Sequence, residues 1–135
     1  MKKNKISFDF DECLEFDYMQ NFAKDLSSLG YEIWIVTARW STEMYHKVHY
    51  PLTFPTYNKD LYEIAKKLNI PNEHIIFTNM EIKWLSIKDK GFILHMDNDN
   101  VEVDDINEFT DVKAVMSLAP NSIETALKIL ENGKN

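Results

Sequence analysis

Aspartates follow two apolar stretches of this 135-residue chain. Asp9 and Asp11 come at the end of one stretch, and Asp97 comes at the end of another. Mg²⁺ in proteins prefers oxygen ligands, often one or two carboxylates completed by water and a substrate phosphate. A carboxylate can also attack phosphorus or carry a proton. The pattern therefore indicates metal-assisted phosphate chemistry, although an aspartate after a strand is also a common turn or capping residue.

A hydroxyl and an ammonium group could complete such a site. Thr37 ends another apolar run, and Lys83 is predicted to lie about one turn into a helix. The hydroxyl could hold a phosphoryl oxygen, and the ammonium could neutralise phosphate charge. Each residue also has an ordinary explanation, because threonine often finishes a strand and most helix lysines are solvated. Lys88 is the alternative cation if the predicted register is wrong.

The elements between these residues predict one α/β domain over residues 1–135. Runs rich in β-branched and aromatic residues predict strands, and apolar residues at helical spacing predict helices. The predicted strands span residues 6–10, 31–36, 75–77, 92–96 and 112–118, and the predicted helices span 16–29, 61–68, 80–88, 101–109 and 122–130, the last capped by Asn121 or Ser122. Such alternation predicts a three-layer, Rossmann-like parallel sheet of about five strands, whose ligands bind beyond the carboxyl ends of the strands.

In order and position, four motifs resemble those of the haloacid dehalogenase-like (HAD-like) hydrolase superfamily. The segment Asp-Phe-Asp-Glu-Cys at 9–13 looks like its first motif, Thr37 its second, Lys83 its third, and Asp-Asn-Asp at 97–99 its fourth. The resemblance spans residues 6 to about 106. It implies a small Mg²⁺-dependent phosphatase with little or no cap domain. We expect a phosphomonoester hydrolase that works through an aspartyl-phosphate intermediate.

The aspartates then have distinct expected roles. Asp9 attacks the phosphate ester, and Asp11 protonates the leaving alkoxide and later deprotonates the hydrolytic water. Asp9 and Asp97 are predicted to bind Mg²⁺ through their carboxylates. The resemblance implies the main-chain carbonyl of Asp11 as a third metal ligand.

The phosphoryl group is expected to be bound from the second and third motifs. Its predicted ligands are Thr37, Ala38, Arg39 and Lys83, of which Thr37 and Lys83 also count as catalytic. Backbone N–H groups after Asp9 would add further donors. Arg39 could alternatively bind a second phosphate or a carboxylate of the substrate.

Two positions depart from the family's usual motifs. Cys13 stands where the family usually has Thr or Val, and we interpret it as a small buried residue, not a nucleophile. Asn98 stands where the family often has a second acidic residue. Its neutral side chain removes a charge that could orient Lys83 or bind metal through water, although Asp99 could take over that role. The alternative function is therefore a catalytically impaired HAD-like binding protein.

An aromatic segment at 40–58 is a candidate small insertion that faces the substrate. Flat side chains could stack a nucleobase or close the site, but they could equally pack the segment onto the sheet. A nucleotide or a nucleic-acid end is the favoured substrate. A second metal site at His46 and His49 is not favoured, since no third ligand is evident. The residues concerned are Trp40, Tyr45, His46, His49, Tyr50, Phe54 and Tyr57.

Composition limits the other function classes. The formal charge of −7 and pI of about 5.0 disfavour an extended nucleic-acid surface. Cys13 is the only cysteine, which rules out an internal disulfide, and no apolar run is long enough for a membrane helix. We therefore expect a cytoplasmic protein. A phosphorelay receiver domain is disfavoured, because it needs its aspartate after the third strand, where Thr78 and Asn79 stand.

Overall fold

A computed structural model describes residues 4–133 of the chain. Strands and helices alternate along it, and irregular single turns at Phe10–Leu14 and Asn72–His74 interrupt the loops. The elements in chain order are β1 (Lys5–Phe8), α1 (Asp17–Ser28), β2 (Glu32–Thr37), α2 (Thr42–His49), α3 (Lys59–Lys67), β3 (Ile75–Phe77), α4 (Trp84–Ile87), β4 (Phe92–Asp97), α5 (Asn100–Phe109), β5 (Lys113–Met116) and α6 (Ser122–Asn132).

All five strands form one parallel sheet in the order β3-β2-β1-β4-β5. The predicted three-layer, Rossmann-like α/β fold is thus confirmed. The chain runs outward from β1 to β3, then crosses to β4 on the other side of β1, so the order reverses between β1 and β4. Parallel sheets bind ligands at such a switch point, beyond the carboxyl ends of the strands. The order also differs from the 2-1-3-4-5 order of receiver domains, which contradicts that alternative.

Apolar side chains pack on both faces of the sheet. On one face, Ile6, Phe8 and Met96 lie in a core cluster with residues of α1, α3 and α6. On the other face, a second cluster joins the sheet to α4 and α5 and includes Val36, Ile87, Phe92, Val103 and Ile106. Each such buried side chain contributes about 1.5–3 kcal/mol relative to exposure. The two clusters hold the strands rigidly, so the residues that follow them are well positioned.

Helix α1 illustrates how the sequence specifies an element. Its buried residues Met19, Phe22, Ala23 and Leu26 follow a spacing of three and four, which places them on one face. The chain leaves the helix through Gly30, whose φ is +97°. That left-handed conformation favours glycine, and it turns the chain directly into β2.

Two helix predictions were wrong in detail. Residues 80–83 are not helical, because Asn79 and Met80 both adopt positive φ, and α4 begins only at Trp84. Helix α6 does begin at Ser122, but neither predicted side chain caps it. Asn121 is left-handed at φ 63° without a capping bond, and the Ser122 hydroxyl donates to the carbonyl of Ser117.

The aromatic segment at 40–58 contains α2 and a following loop. The side chain of Ser41 accepts a hydrogen bond from the backbone N–H of Met44 and caps α2. The loop then runs through the cis Tyr50–Pro51 peptide to α3. Within residues 4–133, the helices are all too short or too polar to cross a bilayer.

Candidate active site

One buried lysine joins two aspartates at the carboxyl ends of β1 and β4. Lys83 Nζ donates to Asp9 Oδ1 at 2.9 Å and to Asp97 Oδ2 at 2.6 Å. The side chains of Lys83, Asp9 and Asp97 are only 3%, 8% and 0% exposed. Because one ammonium group contacts both carboxylates, the two aspartates lie close enough to share a single cation. We call these three residues the buried cluster.

The pairing of β1 with β4 explains why both aspartates reach the same side of the sheet. Ser7 lies opposite His95 in the register. Side chains alternate along a strand, so Asp9 follows Ser7 on one face of β1 and Asp97 follows His95 on the same face of β4. The Asp9 N–H also donates to the Met96 carbonyl at 2.8 Å, which extends the strand pairing by one residue. The sheet itself therefore fixes the separation of the two carboxylates.

Lys83 reaches the cluster from the residue before α4, not from one turn inside a helix. Ile87 is fully buried and anchors α4 against the sheet, while the Lys83 N–H donates to Glu102 Oε1 at 3.4 Å. The alternative cation, Lys88, is exposed, and its Nζ lies 5.8 Å from the ring centroid of Trp84. Lys83 is therefore not a solvated helix lysine.

A chain of hydrogen bonds continues from the cluster into the sheet. His95 Nε2 lies 2.7 Å from Asp97 Oδ2, and its Nδ1 lies 2.7 Å from the Ser7 hydroxyl. Ser7 and His95 are both completely buried. Burial lowers the pKa of His95 by more than its contact with Asp97 raises it.

The three charged groups perturb one another strongly. Burial raises the pKa of Asp9 from 3.8 to about 7, with Lys83 opposing the rise and the charge of Asp97 adding to it. Burial alone would also raise the pKa of Asp97, but the hydrogen bond from His95 and the charge of Lys83 together hold it well below its usual range. Burial would lower the pKa of Lys83, yet the charges of Asp9 and Asp97 raise it. The cluster thus carries one net negative charge when Asp9 is ionised.

A second cation lies between two carboxylates at the neighbouring strand end. Arg39 donates to Asp11 from Nε at 3.0 Å and Nη2 at 2.7 Å, and to Asp60 from Nη1 at 2.8 Å and Nη2 at 2.9 Å. Its guanidinium also lies 4.9 Å from the ring centroid of Phe10. The side chains of Asp11 and Asp60 are 53% and 60% exposed. The predicted general acid is therefore held by the predicted phosphate ligand. We call Arg39, Asp11 and Asp60 the exposed cluster.

Thr37 and Ala38 lie between the two clusters along the chain. Thr37 is fully buried at the end of β2, and its Oγ1 accepts a hydrogen bond from the Arg39 N–H at 3.2 Å. The carbonyls of Thr37 and Ala38 accept from the N–H groups of Thr78 and Met80. Thr37 thus lies at the predicted carboxyl end of β2, and its hydroxyl accepts a hydrogen bond within the turn that follows this strand.

The turn after Asp9 is tight, contains Cys13, one of the two departures from the family motifs, and contacts the other, Asn98. Leu14 N–H donates to the Asp9 carbonyl at 3.1 Å, and Glu12 lies in the left-handed region at φ 55°. The Asn98 amide donates to Glu12 Oε2 at 3.0 Å. Cys13 is fully buried, and burial raises the pKa of its thiol far above its ordinary value, as expected for a residue that is not a nucleophile.

Asp99 is engaged at the start of α5. Its carboxylate accepts hydrogen bonds from the backbone N–H groups of Val101 and Glu102, so it caps the helix. Its own N–H donates to Asp97 Oδ1 at 3.0 Å. In this arrangement Asp99 orients Asp97 through the backbone, and its side chain does not contact Lys83.

The aromatic segment packs mostly on itself. Tyr45 and Tyr57 stack with ring centroids 3.8 Å apart, and their hydroxyls accept hydrogen bonds from the backbone of Phe54 and Trp40. The Phe54 side chain remains 71% exposed and lines a cavity of about 620 Å³ that also contacts Arg39. The packing explanation therefore holds for the pair of Tyr45 and Tyr57. Tyr50 and Phe54 are exposed, and of these two it is Phe54 that lines this cavity.

Oxygen ligands for Mg²⁺ are present, but few of them come from side chains. No group of three or more His, Cys, Asp or Glu side chains that could hold a metal occurs in the described part of the chain, and this includes His46 and His49. Asp9 and Asp97 each use one oxygen for Lys83, and the other oxygen of Asp97 accepts the Asp99 N–H but can still offer a second lone pair. Mg²⁺ commonly takes one or two carboxylates and completes its octahedron with water and phosphate, so this donor set fits the ion.

Comparisons with known proteins identify no family. No protein-family model matches the chain, and no curated protein or solved structure is significantly similar to it. The likeness to HAD-like hydrolases therefore depends on the four motifs and on where their residues lie.

Several residues that support the predicted ones were not found from the sequence, among them Ser7, His95 and Asp60. Ser7 and His95 are polar residues inside otherwise apolar strands, and that interruption is a signal that could have marked them. Asp60 gave no such signal, because an aspartate near the start of a helix is ordinary. Its pairing with Arg39 depends on how α3 packs.

Proposed function

We propose that the chain is a HAD-like phosphatase that hydrolyses phosphomonoesters through an aspartyl-phosphate at Asp9. The observation that carries this proposal is the buried cluster at the switch point of the sheet. A nucleophilic carboxylate, a second carboxylate and a fixed ammonium group meet where α/β proteins bind ligands. Burying two carboxylates with one cation does not favour stability, since desolvating each charge costs several kcal/mol. The arrangement therefore supports a functional role for the cluster.

Positive charge must first offset the repulsion between Asp9 and a phosphate dianion. Lys83 donates to Asp9 and is positioned to contact a phosphoryl oxygen beside it. Asp9, Asp97 and the main-chain carbonyl of Asp11 would hold Mg²⁺. When bound, the ion supplies the remaining positive charge and screens the phosphoryl oxygens.

The reaction then proceeds in two displacements. An Asp9 oxygen forms a bond to phosphorus while the ester P–O bond breaks, and the leaving alkoxide takes a proton from Asp11. Water next attacks phosphorus, Asp11 accepts its proton, and the bond from phosphorus to Asp9 breaks, which releases inorganic phosphate. Asp11 must leave Arg39 to carry that proton. A phosphate in the site would offer Arg39 another anionic partner.

Hydrolysis of a generic aryl phosphate tests the proposal directly. We expect wild-type activity that requires Mg²⁺, and a loss of at least about 100-fold in Asp9→Asn and Asp11→Asn. Mass spectrometry of acid-quenched wild-type protein should detect a phosphoryl group on the peptide that contains Asp9. Equal rates for the three proteins would refute the catalytic assignment.

A binding protein without catalysis is the second candidate. It is favoured by the engagement of Asp11 with Arg39 and of Asn98 with Glu12, which ties up the acid-base position and the fourth motif. Such a protein would bind phosphate or a phosphate ester in calorimetry and release the ester unchanged. Burst experiments at high protein concentration distinguish this outcome from slow turnover.

A nucleotide or a nucleic-acid end is our proposed substrate. Phe54 supports it, because an exposed aromatic ring beside the cavity near Arg39 is suited to stack a base. A panel of nucleotides, sugar phosphates and phosphorylated oligonucleotides tests the choice, with Phe54→Ala as the matched variant. Indifference to the base in both proteins would remove the stacking argument.

A further inference from the structure

We propose that His95, fixed by Ser7, is a positioning residue that holds Asp97 in the orientation needed to bind a divalent cation. The inference rests on the proposed function only for the location of that cation. Neither residue belongs to the four motifs, and both lie behind the buried cluster, away from the crevice. The chain of contacts runs from the Ser7 hydroxyl through His95 to Asp97 and then to Lys83.

The hydrogens of this chain can be assigned from its chemistry. Asp97 Oδ2 can only accept, so the Nε2 atom of His95 must carry the hydrogen of their contact. In the imidazole form, Nδ1 then has a lone pair to which the Ser7 hydroxyl donates. The opposite tautomer would point a nitrogen lone pair at a carboxylate oxygen 2.7 Å away. Ser7 therefore selects the tautomer of His95 that can serve Asp97.

The two oxygens of Asp97 have different tasks in this proposal: Oδ2 accepts the hydrogen bonds that fix the carboxylate, and Oδ1 binds the cation. Oδ2 accepts from both His95 and Lys83, at 2.7 and 2.6 Å. Among residues 4–133, Oδ1 accepts a hydrogen bond from the Asp99 N–H alone, which leaves it one lone pair. Three donors from three directions leave the carboxylate no freedom to rotate. The free position on Oδ1 is thus the one that a cation shared with Asp9 would use.

If Ser7 and His95 only packed the sheet, apolar residues would serve equally well at these two positions. Ser7 and His95 face each other in adjacent strands, on a sheet whose strands also supply apolar side chains such as Val36 and Phe92 to a buried cluster. Burying a hydroxyl and an imidazole there costs free energy that an apolar pair would not. A functional gain can offset this cost when the buried group is hydrogen-bonded to a metal-binding carboxylate, because the loss of such a partner commonly lowers metal affinity by about 10–100-fold.

Mg²⁺ titration of the phosphate-free protein tests the proposal without relying on turnover. We expect calorimetry to show at least about tenfold weaker Mg²⁺ binding in His95→Leu, which removes the donor. His95→Gln, whose amide can donate to Asp97, should recover most of that loss. Ser7→Ala should weaken binding by a smaller factor of about three, because it only releases the choice of tautomer.

His74→Leu is the matched control. His74 is also partly buried beside the sheet, with Nδ1 3.1 Å from the Ile33 carbonyl and its ring stacked on Trp34. Its loss should lower stability and leave Mg²⁺ affinity unchanged. In steady-state assays, the His95 variants should need more Mg²⁺ for half-maximal rate while their rate at saturating Mg²⁺ falls less.

Several outcomes would overturn the inference. Wild-type affinity in a folded His95→Leu, failure of His95→Gln to exceed His95→Leu, or absence of Mg²⁺ binding by the wild type would each do so. If His95→Leu does not fold, Ser7→Ala and His95→Gln carry the test, and unchanged affinity in Ser7→Ala contradicts the assigned role of Ser7. Failure of the proposed function differs visibly, since Mg²⁺ would bind as expected while no ester is hydrolysed.

Discussion

Two clusters at the carboxyl end of the sheet have the same formal charges and opposite surroundings. In each, one cation lies between two aspartates: Lys83 in the buried cluster and Arg39 in the exposed one. The carboxylates of the first are almost inaccessible, whereas those of the second are more than half exposed. Identical formal charges therefore have different energetic consequences. Desolvation makes the buried cluster costly and strongly coupled, while water screens the exposed one.

Under the proposed function, this difference gives the clusters separate tasks. The buried cluster would take up the divalent cation, because Lys83 offsets the charge of only one of its two carboxylates. The exposed cluster holds Asp11 through a guanidinium fork that fits carboxylates on both sides. Screened ion pairs can open at little cost, which would suit the proton transfer proposed for Asp11.

Removing the cation from each cluster should give the largest contrast. Lys83→Met leaves two buried carboxylates unpaired, and we expect it to lower the free energy of unfolding by about 3–5 kcal/mol at pH 8. Arg39→Met should cost about 1 kcal/mol or less per ion pair lost. Urea unfolding of both variants in metal-free buffer provides the comparison. Similar losses in the two would contradict the assigned difference in desolvation.

Neutralising one carboxylate in each cluster should change the free energy of unfolding in the buried cluster and hardly change it in the exposed one. Asp9→Asn balances the buried charge, so it should stabilise the metal-free protein at pH 8 by a few kcal/mol, whereas Asp60→Asn should stabilise nothing. The folded-state pKa of Asp9, about 7, lies above its unfolded value of 3.8. The folded protein thus binds this proton more tightly, and its stability falls as pH rises from about 4 to about 7.

Unfolding at pH 5 and pH 8 measures that slope. The lowered pKa of His95 acts in the opposite direction, because stability falls as pH drops through its unfolded value of 6.5. This term is shared by the wild type and Asp9→Asn, so their difference isolates Asp9. The advantage of the variant should be small at pH 5 and large at pH 8. An advantage independent of pH would show that Asp9 has no raised pKa.

Mg²⁺ should bind only to the buried cluster, and in competition with a proton. Affinity should rise by up to about tenfold per pH unit below pH 7 and level off above it, because binding requires ionised Asp9. Calorimetry in two buffers of different ionisation enthalpy reports the proton released. Asp97→Asn should abolish binding and Asp60→Asn should preserve it. Equal losses in both variants would place the cation elsewhere.

The exposed and buried parts of the site also differ in how far the sequence predicts them. Alternating apolar runs predicted the sheet, and the carboxyl ends of its strands predicted that Asp9 and Asp97 meet, because parallel topology follows from local patterns. The prediction of a helix over 80–88 was wrong at its start. Asn79 and Met80 adopt positive φ there, because their N–H groups donate to the carbonyls that follow β2. No local propensity encodes that contact.

Contacts between residues that are distant in the chain could not be predicted from the sequence for the same reason. Ser7 meets His95 only because the pairing of β1 with β4 places them opposite each other, although they are 88 positions apart in the chain. Arg39 meets Asp60 only because α3 packs beside the end of β2. The raised pKa of Asp9 likewise depends on burial, which depends on tertiary packing. Local sequence patterns therefore predict where along the sheet the site residues lie. They do not predict the burial and the contacts of those residues.

The smallest expected effect comes from loosening the exposed cluster without touching Asp11. Asp60→Asn removes one of the two carboxylates bound to Arg39, while the bidentate pair with Asp11 remains. We expect less than about 1 kcal/mol change in the free energy of unfolding and a change of less than about threefold in the rate of aryl phosphate hydrolysis. The Michaelis constant is more informative, because a guanidinium with a free face attracts phosphate better. It should fall modestly, whereas a large fall in the rate itself would mean that Asp60 belongs with the catalytic groups and that the two clusters work as one.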